Sequence, residues 1–456
     1  MKKTHIFLII LLSAGFFIRL FPMRTGARYW DETVYLQDAE RIAGKDSSNY
    51  TELDFRPPML SLMGGAVFAS GGGVKGFQIL VVALSTFSIY LTYLIGRKLF
   101  SKEAGLVSAA VATVSFVHFE ISHRILVDPV LPVFWLLSFY AVSEVVSGDG
   151  GKLWRVAAGF FTAMAVLTKF TSLAILGAAL TVFYLYSDSF WKDAEYYIVA
   201  FILALLPYMS WNVLSFGNPL HTFIKGLQLS GATDGFFTYL RGLWRIVPLP
   251  FLAVSGYFVT ETGEDLRNAW MLLIFILVLA LPLQCLIGNK ELRFLLPIMP
   301  FIAIISGRQA TRFFGGGKKM VALVLGMLLL SAVPLATSDY GRAISKGRLE
   351  MKEEIDVIDA SIWLSNRTGK EALVYTNYEW PIISYYSERN IRILPTYRPF
   401  QHDFERFMQR PGYLVYQSYS PKDDFRKEFL ERDARFELNR SFSNSVHIYY
   451  YGGPER

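Results

Sequence analysis

The sequence is poor in cysteine and in charge, and each shortage excludes a class of protein. The single cysteine, Cys285, lies inside an apolar run, so no internal disulfide is possible. Charged residues make up 18% of the 456 positions and hydrophobic residues 53%, whereas soluble proteins carry about 25% charge. This balance excludes a disordered protein, a nucleic-acid-binding arm and an ordinary cytosolic enzyme. The net charge of +7 does not favour nucleic acid as a partner.

Charge is scarce only in the first three quarters of the chain. Residues 340–456 carry 35 charged side chains in 117 positions, whereas the other 339 positions carry only 48. The sequence therefore predicts a transmembrane domain over 1–340, with a first outer loop over 22–76, followed by a soluble domain over 341–456.

Apolar stretches that are long enough to cross a bilayer recur along the first domain. We predict eleven spans, near residues 5–21, 77–96, 104–119, 128–146, 154–168, 171–187, 196–214, 243–260, 268–287, 293–307 and 319–337. The segment 59–72 is apolar but short and Gly-rich, which favours an interfacial or re-entrant helix. The chain is thus predicted to be a polytopic α-helical membrane protein.

Short basic loops predict the orientation of these spans, because Lys and Arg accumulate on the cytoplasmic side. With the N-terminus inside, the basic residues of the 97–102, 152–155 and 308–319 loops all face the cytoplasm. The first loop and the C-terminal domain then face outward from the cell membrane. The N-terminal apolar run lacks a convincing signal-peptidase site, so we interpret it as an uncleaved first helix.

The C-terminal domain alternates between amphipathic helical patterns and short apolar runs. Helical patterns occur in EEIDVIDASIWLSN, HDFERFMQ and PKDDFRKEFLE, and the apolar runs are ALVYT, WPIISYYSE, IRILP, YLVYQ and a final pair near 435–440 and 446–451. This alternation predicts a small α/β domain. The domain contains no Gly-rich phosphate loop.

An acidic pair, Asp31 and Glu32, follows two aromatic residues at the start of the first outer loop. Asp31, Tyr35 and Asp38 would share one helical face by their i, i+4, i+7 spacing. A carboxylate beside apolar surface loses solvation, which moves its pKa toward the range of a general base. The alternative is that Asp31 only caps the N-terminus of a helix over 32–43.

Arg56 precedes two prolines at the end of the same loop. The prolines prevent a helix at that point and fix the backbone, while the guanidinium suits a phosphate. An interfacial arginine that contacts lipid headgroups is the alternative.

A second polar cluster, HFEISHRILVDP, lies where two predicted spans meet on the outer side. Asp128 starts an otherwise apolar helix, and ionisable groups at such depth are usually functional or paired. Arg124 lies four residues before it, so the two could simply pair with each other. His118, Glu120 and His123 suggest metal ligands, but their spacing matches no standard zinc pattern.

Further cations occur at the outer edges of spans, namely Lys169 in VLTKFTSL and Lys290 and Arg293 in NKELRFLLPIMP. Snorkelling to the interface explains any one of them. Together with Arg56 they would give one outer face the several cations that a lipid phosphate requires.

These motifs, in this order, resemble those of the GT-C glycosyltransferases. The acidic pair, Arg56-Pro57-Pro58, the Arg124-(x3)-Asp128 spacing and ELRFLLPIMP are similar to motifs of protein O-mannosyltransferases and lipid A aminoarabinose transferases. The resemblance covers residues 1–340. It departs from the aminoarabinose transferases, which have Glu-Lys-Pro-Pro where this chain has Phe-Arg-Pro-Pro, and this argues against that donor sugar. The large outer domain of the eukaryotic protein O-mannosyltransferases is also missing.

The resemblance implies a membrane enzyme that takes a sugar from a polyprenyl-phosphate carrier and passes it to a lipid, glycan or protein. By motif, Asp31 matches the general base, Glu32 completes the acidic pair, and Asp128 matches a second acid. Arg56 matches the cation near the carrier phosphate, where Lys169 or Arg293 would assist. We also place Tyr35 and Arg124 among the substrate-binding residues. The reaction would invert the anomeric carbon and would need no metal or other cofactor.

Three alternatives remain at this point. A metal-dependent oligosaccharyltransferase would require acidic metal ligands, and the first outer loop contains no D-x-D motif. A secondary transporter would place polar groups near the midplane of repeated halves, but the sequence shows no such repeat. In a non-catalytic scaffold or flippase partner, the acidic pair would be only a helix cap.

Overall fold

The computed structural model describes residues 2–20, 29–45, 50–148, 151–228, 255–286, 291–315, 350–394, 406–418 and 421–453, with a few isolated positions besides. The chain divides into two compact units. The first comprises Met1–Arg24, Leu53–Leu60 and Lys75–Ser338, and the second comprises Thr25–Glu52, Ser61–Val74 and Asp339–Arg456. The sequence-based division kept the whole first loop with the membrane domain, whereas the structure groups most of that loop with the C-terminal domain. The boundary predicted near residue 340 lies outside the described residues.

Helices dominate the chain up to residue 315. In chain order the described ones are α1 (Lys2–Leu20), α2 (Trp30–Ile42), α3 (Met59–Ala69), α4 (Gly73–Leu99), α5 (Lys102–Thr113), α6 (Phe116–Ile121), α7 (Leu131–Val146), α8 (Lys152–Thr168), α9 (Ala174–Tyr186), α10 (Phe190–Phe216), α11 (His221–Gln228), α12 (Gly263–Leu286) and α13 (Met299–Phe314). Short 3₁₀ segments occur at Phe170–Leu173, Gly256–Thr260 and Leu292–Ile298.

Three stretches of helix in the described part of the chain are long and apolar enough to cross a membrane: Gly73–Leu99, Phe190–Phe216 and Leu292–Phe314. Shorter apolar helices cover His5–Leu20, Met59–Ala69, Leu131–Val146 and Phe170–Tyr186. The chain is therefore a membrane protein. The predicted span 319–337 and most of 243–260 lie outside the described residues, so the count of eleven stays a prediction.

One predicted span, 104–119, is wrong as a continuous helix. Helix α5 ends at Thr113, and α6 begins at Phe116 after Ser115 takes φ −56° and ψ 116°, outside the helical region. The break leaves the His118 side chain buried, with both ring nitrogens in contact with polar groups. An apolar run alone cannot show such a break, because both pieces are apolar.

Small residues allow the helices of the first unit to approach closely. A Cβ on Gly105 would lie 2.6 Å from the carbonyl oxygen of Tyr93 on α4, and a Cβ on Gly307 of α13 would lie 2.6 Å from that of Ala104. Glycine at a helix contact is the usual means of close packing in membranes, where burial of apolar surface gives no advantage over lipid.

The C-terminal part of the second unit is the predicted α/β domain. Its strands are β1 (Leu373–Thr376), β2 (Asn390–Ile393), β3 (Gly412–Gln417), β4 (Phe436–Ser441) and β5 (Val446–Tyr451), and its helices are α14 (Glu350–Arg367), α15 (Trp380–Ser387) and α16 (Pro421–Arg432). The sheet has the order β2-β1-β3-β5-β4, with β1 parallel to β2 and β3, and with β5 antiparallel to β3 and β4.

Side chains alternate between two apolar cores, one on each face of this sheet. Val374, Val415 and Ile448 belong to one core, and Tyr375, Leu414 and Tyr449 belong to the other. The run WPIISYYSE, which we interpreted as a short apolar run like its neighbours, is the helix α15, with Pro381 in its first turn. Proline is suited to that position because its missing N–H would have had no intrahelical partner.

Candidate functional site

Helix α2 presents the acidic pair in its first turn. The helix begins at Trp30, its N-cap is Tyr29 in an extended conformation, and no side chain caps it by a hydrogen bond. Asp31 is therefore the second helical residue, and the interpretation of Asp31 as the N-cap is wrong. Two carboxylates in the first turn are stabilised by the positive end of the helix dipole. Glu32 is 4% exposed and Asp31 is half-buried.

The predicted helical face of α2 is an interior face. Tyr35 is 3% exposed and Asp38 is fully buried, and eight consecutive residues from Glu32 to Ala39 are buried. The hydroxyl of Thr51 donates a 2.6 Å hydrogen bond to Oδ1 of Asp38. The carboxylates of Glu32 and Asp38 therefore have little access to solvent.

Helix α15 of the C-terminal domain packs against α2 within the second unit. The Gln37 amide donates a 3.0 Å hydrogen bond to the carbonyl oxygen of Pro381, and both groups are buried. The rings of Trp30 and Trp380 meet edge to face with 4.2 Å between centroids. The Trp380 indole N–H donates to the hydroxyl of Tyr50 at 3.0 Å. The C-terminal domain therefore fixes the helix that carries the acidic pair.

The Gln37 contact gives a first prediction. Gln37→Met should destabilise the second unit by about 1–3 kcal/mol, because the Pro381 carbonyl stays buried without its donor. Thermal unfolding of the purified protein measures this loss. Gln409→Met, the same change at an exposed position of the same unit, should leave the midpoint unchanged. Equal effects of the two variants would contradict the proposed contact.

Glu379, at the N-cap of α15, has a left-handed backbone and a mostly buried side chain. Its φ of 44° is unusual for a residue other than glycine. Burial raises the pKa of this carboxyl above its ordinary value. A folded-state pKa above the unfolded value favours folding while the carboxyl is protonated, and this contribution is lost as the pH rises through the folded pKa.

The Glu379 carboxyl gives a second prediction. Stability of the second unit should fall as the pH rises above about 4.3, the ordinary glutamate pKa, and Glu379→Gln should flatten that part of the profile. Unfolding midpoints between pH 4 and pH 8 test this expectation. Glu388→Gln is the matched control, because Glu388 is also left-handed but exposed. An unchanged profile in Glu379→Gln would show that this carboxyl does not cause the slope.

A buried ion-pair cluster in the first unit brings together three of the predicted site residues. The Lys169 ammonium donates to Oδ1 of Asp128 at 2.7 Å, and Nη1 of Arg293 lies 3.7 Å from Oδ2. Asp128 is 3% exposed by side chain, Lys169 19% and Arg293 21%. Arg293 also pairs with Glu291 at 2.7 Å, and Lys169 lies 3.8 Å from the centre of the Phe294 ring.

The local chain explains how these groups meet. Asp128 lies in the turn before α7, Lys169 occupies the extended position between α8 and a 3₁₀ segment, and Arg293 lies on the 3₁₀ segment before α13. Arg124 instead lies 4.0 Å from Glu120. The suggested Arg124–Asp128 pair is therefore wrong, because Lys169 and Arg293 pair with the Asp128 carboxylate.

Among the described residues, the histidines of the HFEISHRILVDP segment are not grouped with further ligands for a metal ion. His118 is fully buried, with Nδ1 3.5 Å from the Arg19 guanidinium and Nε2 2.8 Å from the Ser85 hydroxyl. Within the described ranges, no group of three or more His, Cys, Asp or Glu side chains is placed to hold a metal ion. The predicted independence from metals remains a prediction.

Arg56 lies on a segment that α11 holds within the first unit. Lys225 of α11 forms an ion pair with Asp54 and lies 5.6 Å from the centre of the Phe55 ring. The Arg56 guanidinium lies 5.9 Å from the same ring. A Cβ on Gly226 would lie 2.9 Å from the Phe55 carbonyl oxygen, so the helix contacts this backbone directly.

Lys225 is a cation near Arg56 that the sequence analysis missed. It is the one basic residue of the short helix His221–Gln228, whose apolar residues otherwise suit an interface. A lysine among apolar residues, in a loop predicted to lie on the outer side, was the signal that could have identified this cation. Its partner Asp54 is about 170 residues away in sequence, so the pairing could not be foreseen.

The fold and the motifs can now be compared with known proteins. Residues 56–211 match the family model described as dolichyl-phosphate-mannose-protein mannosyltransferase. This range contains Arg56, Arg124, Asp128 and Lys169. No curated protein sequence matches the chain.

Solved structures with this fold cover most or all of the chain. ArnT from Cupriavidus metallidurans bound to undecaprenyl phosphate is 13% identical, with a TM-score of 0.71, over 100% of this chain and 99% of that one. The apo Archaeoglobus fulgidus oligosaccharyltransferase is 12% identical, with a TM-score of 0.60, over 91% of this chain and 69% of that one. The arabinofuranosyltransferase AftD from Mycobacteria is 13% identical, with a TM-score of 0.55, over 98% of this chain and 42% of that one.

The chain has the fold of the GT-C membrane glycosyltransferases. The resemblance predicted from the sequence is confirmed, and with it the enzyme class. Within that class, the family model of the dolichyl-phosphate-mannose-protein mannosyltransferases matches about a third of the chain.

Proposed function

We propose that this protein transfers a sugar from a polyprenyl-phosphate carrier to an acceptor hydroxyl at the outer face of the cell membrane. The observation that carries the proposal is the similarity of fold, over the whole chain, to ArnT bound to undecaprenyl phosphate. The order of the polar motifs along the sequence supports it independently. The basic loops support an inside N-terminus and an outward C-terminal domain.

Asp31 acts as the general base in this proposal. It lies in the first turn of a buried helix, half-buried itself, beside the buried Glu32. The carboxylate accepts the proton of the acceptor hydroxyl, whose oxygen then attacks the anomeric carbon. The carbon–oxygen bond to the carrier phosphate breaks on the opposite side of the ring. A single displacement of this kind inverts the anomeric configuration.

Cations stabilise the phosphate that leaves with the carrier. Arg56 supplies a guanidinium fork, which binds phosphate oxygens with two parallel hydrogen bonds. Lys225, which lies against the same Phe55 ring, adds a second cation. Lys169 and Arg293 already pair with Asp128. The role of Asp128 in this proposal is therefore to orient these two cations. Oriented charge of this kind lowers the barrier because it needs no reorganisation during the reaction.

A metal-dependent oligosaccharyltransferase is the second candidate, favoured by the similarity of fold to the Archaeoglobus fulgidus enzyme. The two candidates differ in their donor and in their response to a chelator. Purified protein should release sugar from polyprenyl monophosphate donors with full activity in EDTA. Activity only on pyrophosphate-linked oligosaccharides, lost in EDTA and restored by a divalent metal, would establish the second candidate. No release from either donor would contradict both.

A further inference from the structure

A polar cleft lies in the sheet of the C-terminal domain, at the end where β1, β2 and β3 begin. Its volume is about 680 Å³, which is within the range of small-molecule sites. The lining includes the first residue of each strand together with charged and aromatic side chains: Leu373, Asn390, Gly412, Arg392, Arg410 and Tyr450. Helix α15, which contacts α2, follows the opposite end of β1. The cleft is therefore distinct from the contact with the acidic-pair helix.

Two guanidinium groups in this cleft have no polar partner among the residues that the structure describes. Arg392 and Arg410 are both exposed, and neither forms a side-chain hydrogen bond or ion pair with any residue that the structure describes. Two other arginines of the domain are paired, since Arg389 donates to several backbone carbonyls and Arg435 pairs with Asp433. Unpaired guanidiniums in a concave site are ready to bind a carboxylate or a phosphate in the bidentate manner.

Two tyrosines give the same cleft an aromatic wall. Tyr413 on β3 and Tyr450 on β5 are register partners, and their ring centroids are 5.3 Å apart at an angle of 62°. Tyr450 is 36% exposed. An aromatic ring offers an apolar face and a polar hydroxyl, which suits a sugar ring with its C–H face and its hydroxyl groups. Asn390 and Glu371 supply further hydrogen-bonding groups.

The backbone forms the floor of the cleft. A Cβ on Gly412 would lie 2.6 Å from the Leu373 carbonyl oxygen and 3.0 Å from the Tyr375 ring. The Tyr375 hydroxyl donates a 3.0 Å hydrogen bond to the carbonyl oxygen of Arg410. This bond holds the backbone of Arg410 at the cleft in the absence of any ligand.

From these observations we infer that the cleft is a binding site for an oligosaccharide that carries negative charge, as carboxylate or phosphate groups. The arginines bind the anionic groups and the tyrosines bind the sugar rings. An open, polar cleft suits a segment of a glycan chain better than it suits a cofactor, which is usually held in an enclosed pocket. The inference deepens the proposed function and rests on it, because a glycosyltransferase with such a site would hold an acidic glycan acceptor.

Binding of an anionic oligosaccharide to the full-length protein in detergent tests the inference. The probe is fluorescent oligogalacturonate, measured by titration, with maltoheptaose as the neutral comparison. Arg392→Ala/Arg410→Ala should weaken the binding of oligogalacturonate at least about tenfold, as expected when charge-assisted hydrogen bonds are lost. Arg440→Ala, an exposed arginine of β4 outside the cleft, should leave it unchanged. Tyr450→Ala should weaken it in the same direction.

Three results would overturn the inference. The first is an absence of oligogalacturonate binding, and the second is oligogalacturonate binding that the double arginine variant retains. The third is binding of pyrophosphate that is as strong as the binding of oligogalacturonate and that Tyr450→Ala does not change. The proposed function is judged separately by sugar release from the lipid donor, measured for the wild-type protein. Release without glycan binding would refute the inference alone, and binding without release would refute the proposed function alone.

Discussion

Asp31→Asn should reduce the rate of sugar transfer about 10²- to 10⁴-fold, the usual contribution of a general base. The amide has nearly the same shape as the carboxylate but cannot accept the acceptor's proton. In the proposed reaction the donor binds through its phosphate and its lipid, so its KM should change little. Steady-state kinetics of the purified protein with a labelled polyprenyl-phosphate sugar would separate the two constants.

Glu40→Gln is the control for this substitution, because it removes a carboxylate from the same helix outside the acidic pair. Helix α2 spans Trp30–Ile42, so both changes test the same element. The control should keep the wild-type rate. If Asp31→Asn turns over at the wild-type rate, Asp31 is not the base, and the interpretation of α2 as a catalytic element fails.

Asp128→Asn should cause the largest loss of stability, about 3–5 kcal/mol, because it removes a buried carboxylate that pairs with two partly buried cations. Asp128 is 3% exposed and pairs with both Lys169 and Arg293. Thermal unfolding in detergent should show a lower midpoint. Asp128→Asn/Lys169→Met should recover part of the loss, because it removes the ammonium that has lost the Asp128 carboxylate.

The control for this stability effect is Asp188→Asn, which makes the same change at an exposed position of the first unit. It should not alter the midpoint. A full recovery of stability in the double variant would mean that Arg293 contributes little to the cluster. An Asp128→Asn variant as stable as the wild type would contradict the ion-pair cluster itself.

The sequence predicted those parts of the fold that depend on local periodicity. The helix that starts at Glu350, the strands at Leu373 and Gly412 and the final pair of strands lie where the patterns placed them. The run at Trp380 was misinterpreted because a short, mostly apolar and aromatic run fits a strand or a buried helix equally well. The split between α5 and α6 was missed because both pieces are apolar and the run shows no break.

Contacts between distant segments could not be predicted. Nothing in the local pattern couples Gln37 with Pro381 or Lys225 with Asp54, which are separated by 344 and 171 residues. Asp128 was predicted to be a functional residue because a charge is rare at the start of an apolar span. The cations that pair with Asp128 were not predicted, because Arg124 lies four residues before Asp128, at the spacing of a helical ion pair. The roles of the acidic pair and of Arg56 came from the family resemblance and remain predictions.

The most direct test of this account is the release of labelled sugar from a polyprenyl-phosphate sugar panel, measured for the wild type and Asp31→Asn in parallel. The account predicts turnover of at least one monophosphate donor by the wild type, and a rate at least about 10²-fold lower for the variant. Equal rates for the two proteins would contradict the assignment of the base. No turnover of any donor, with acceptor glycans supplied, would contradict the proposed reaction.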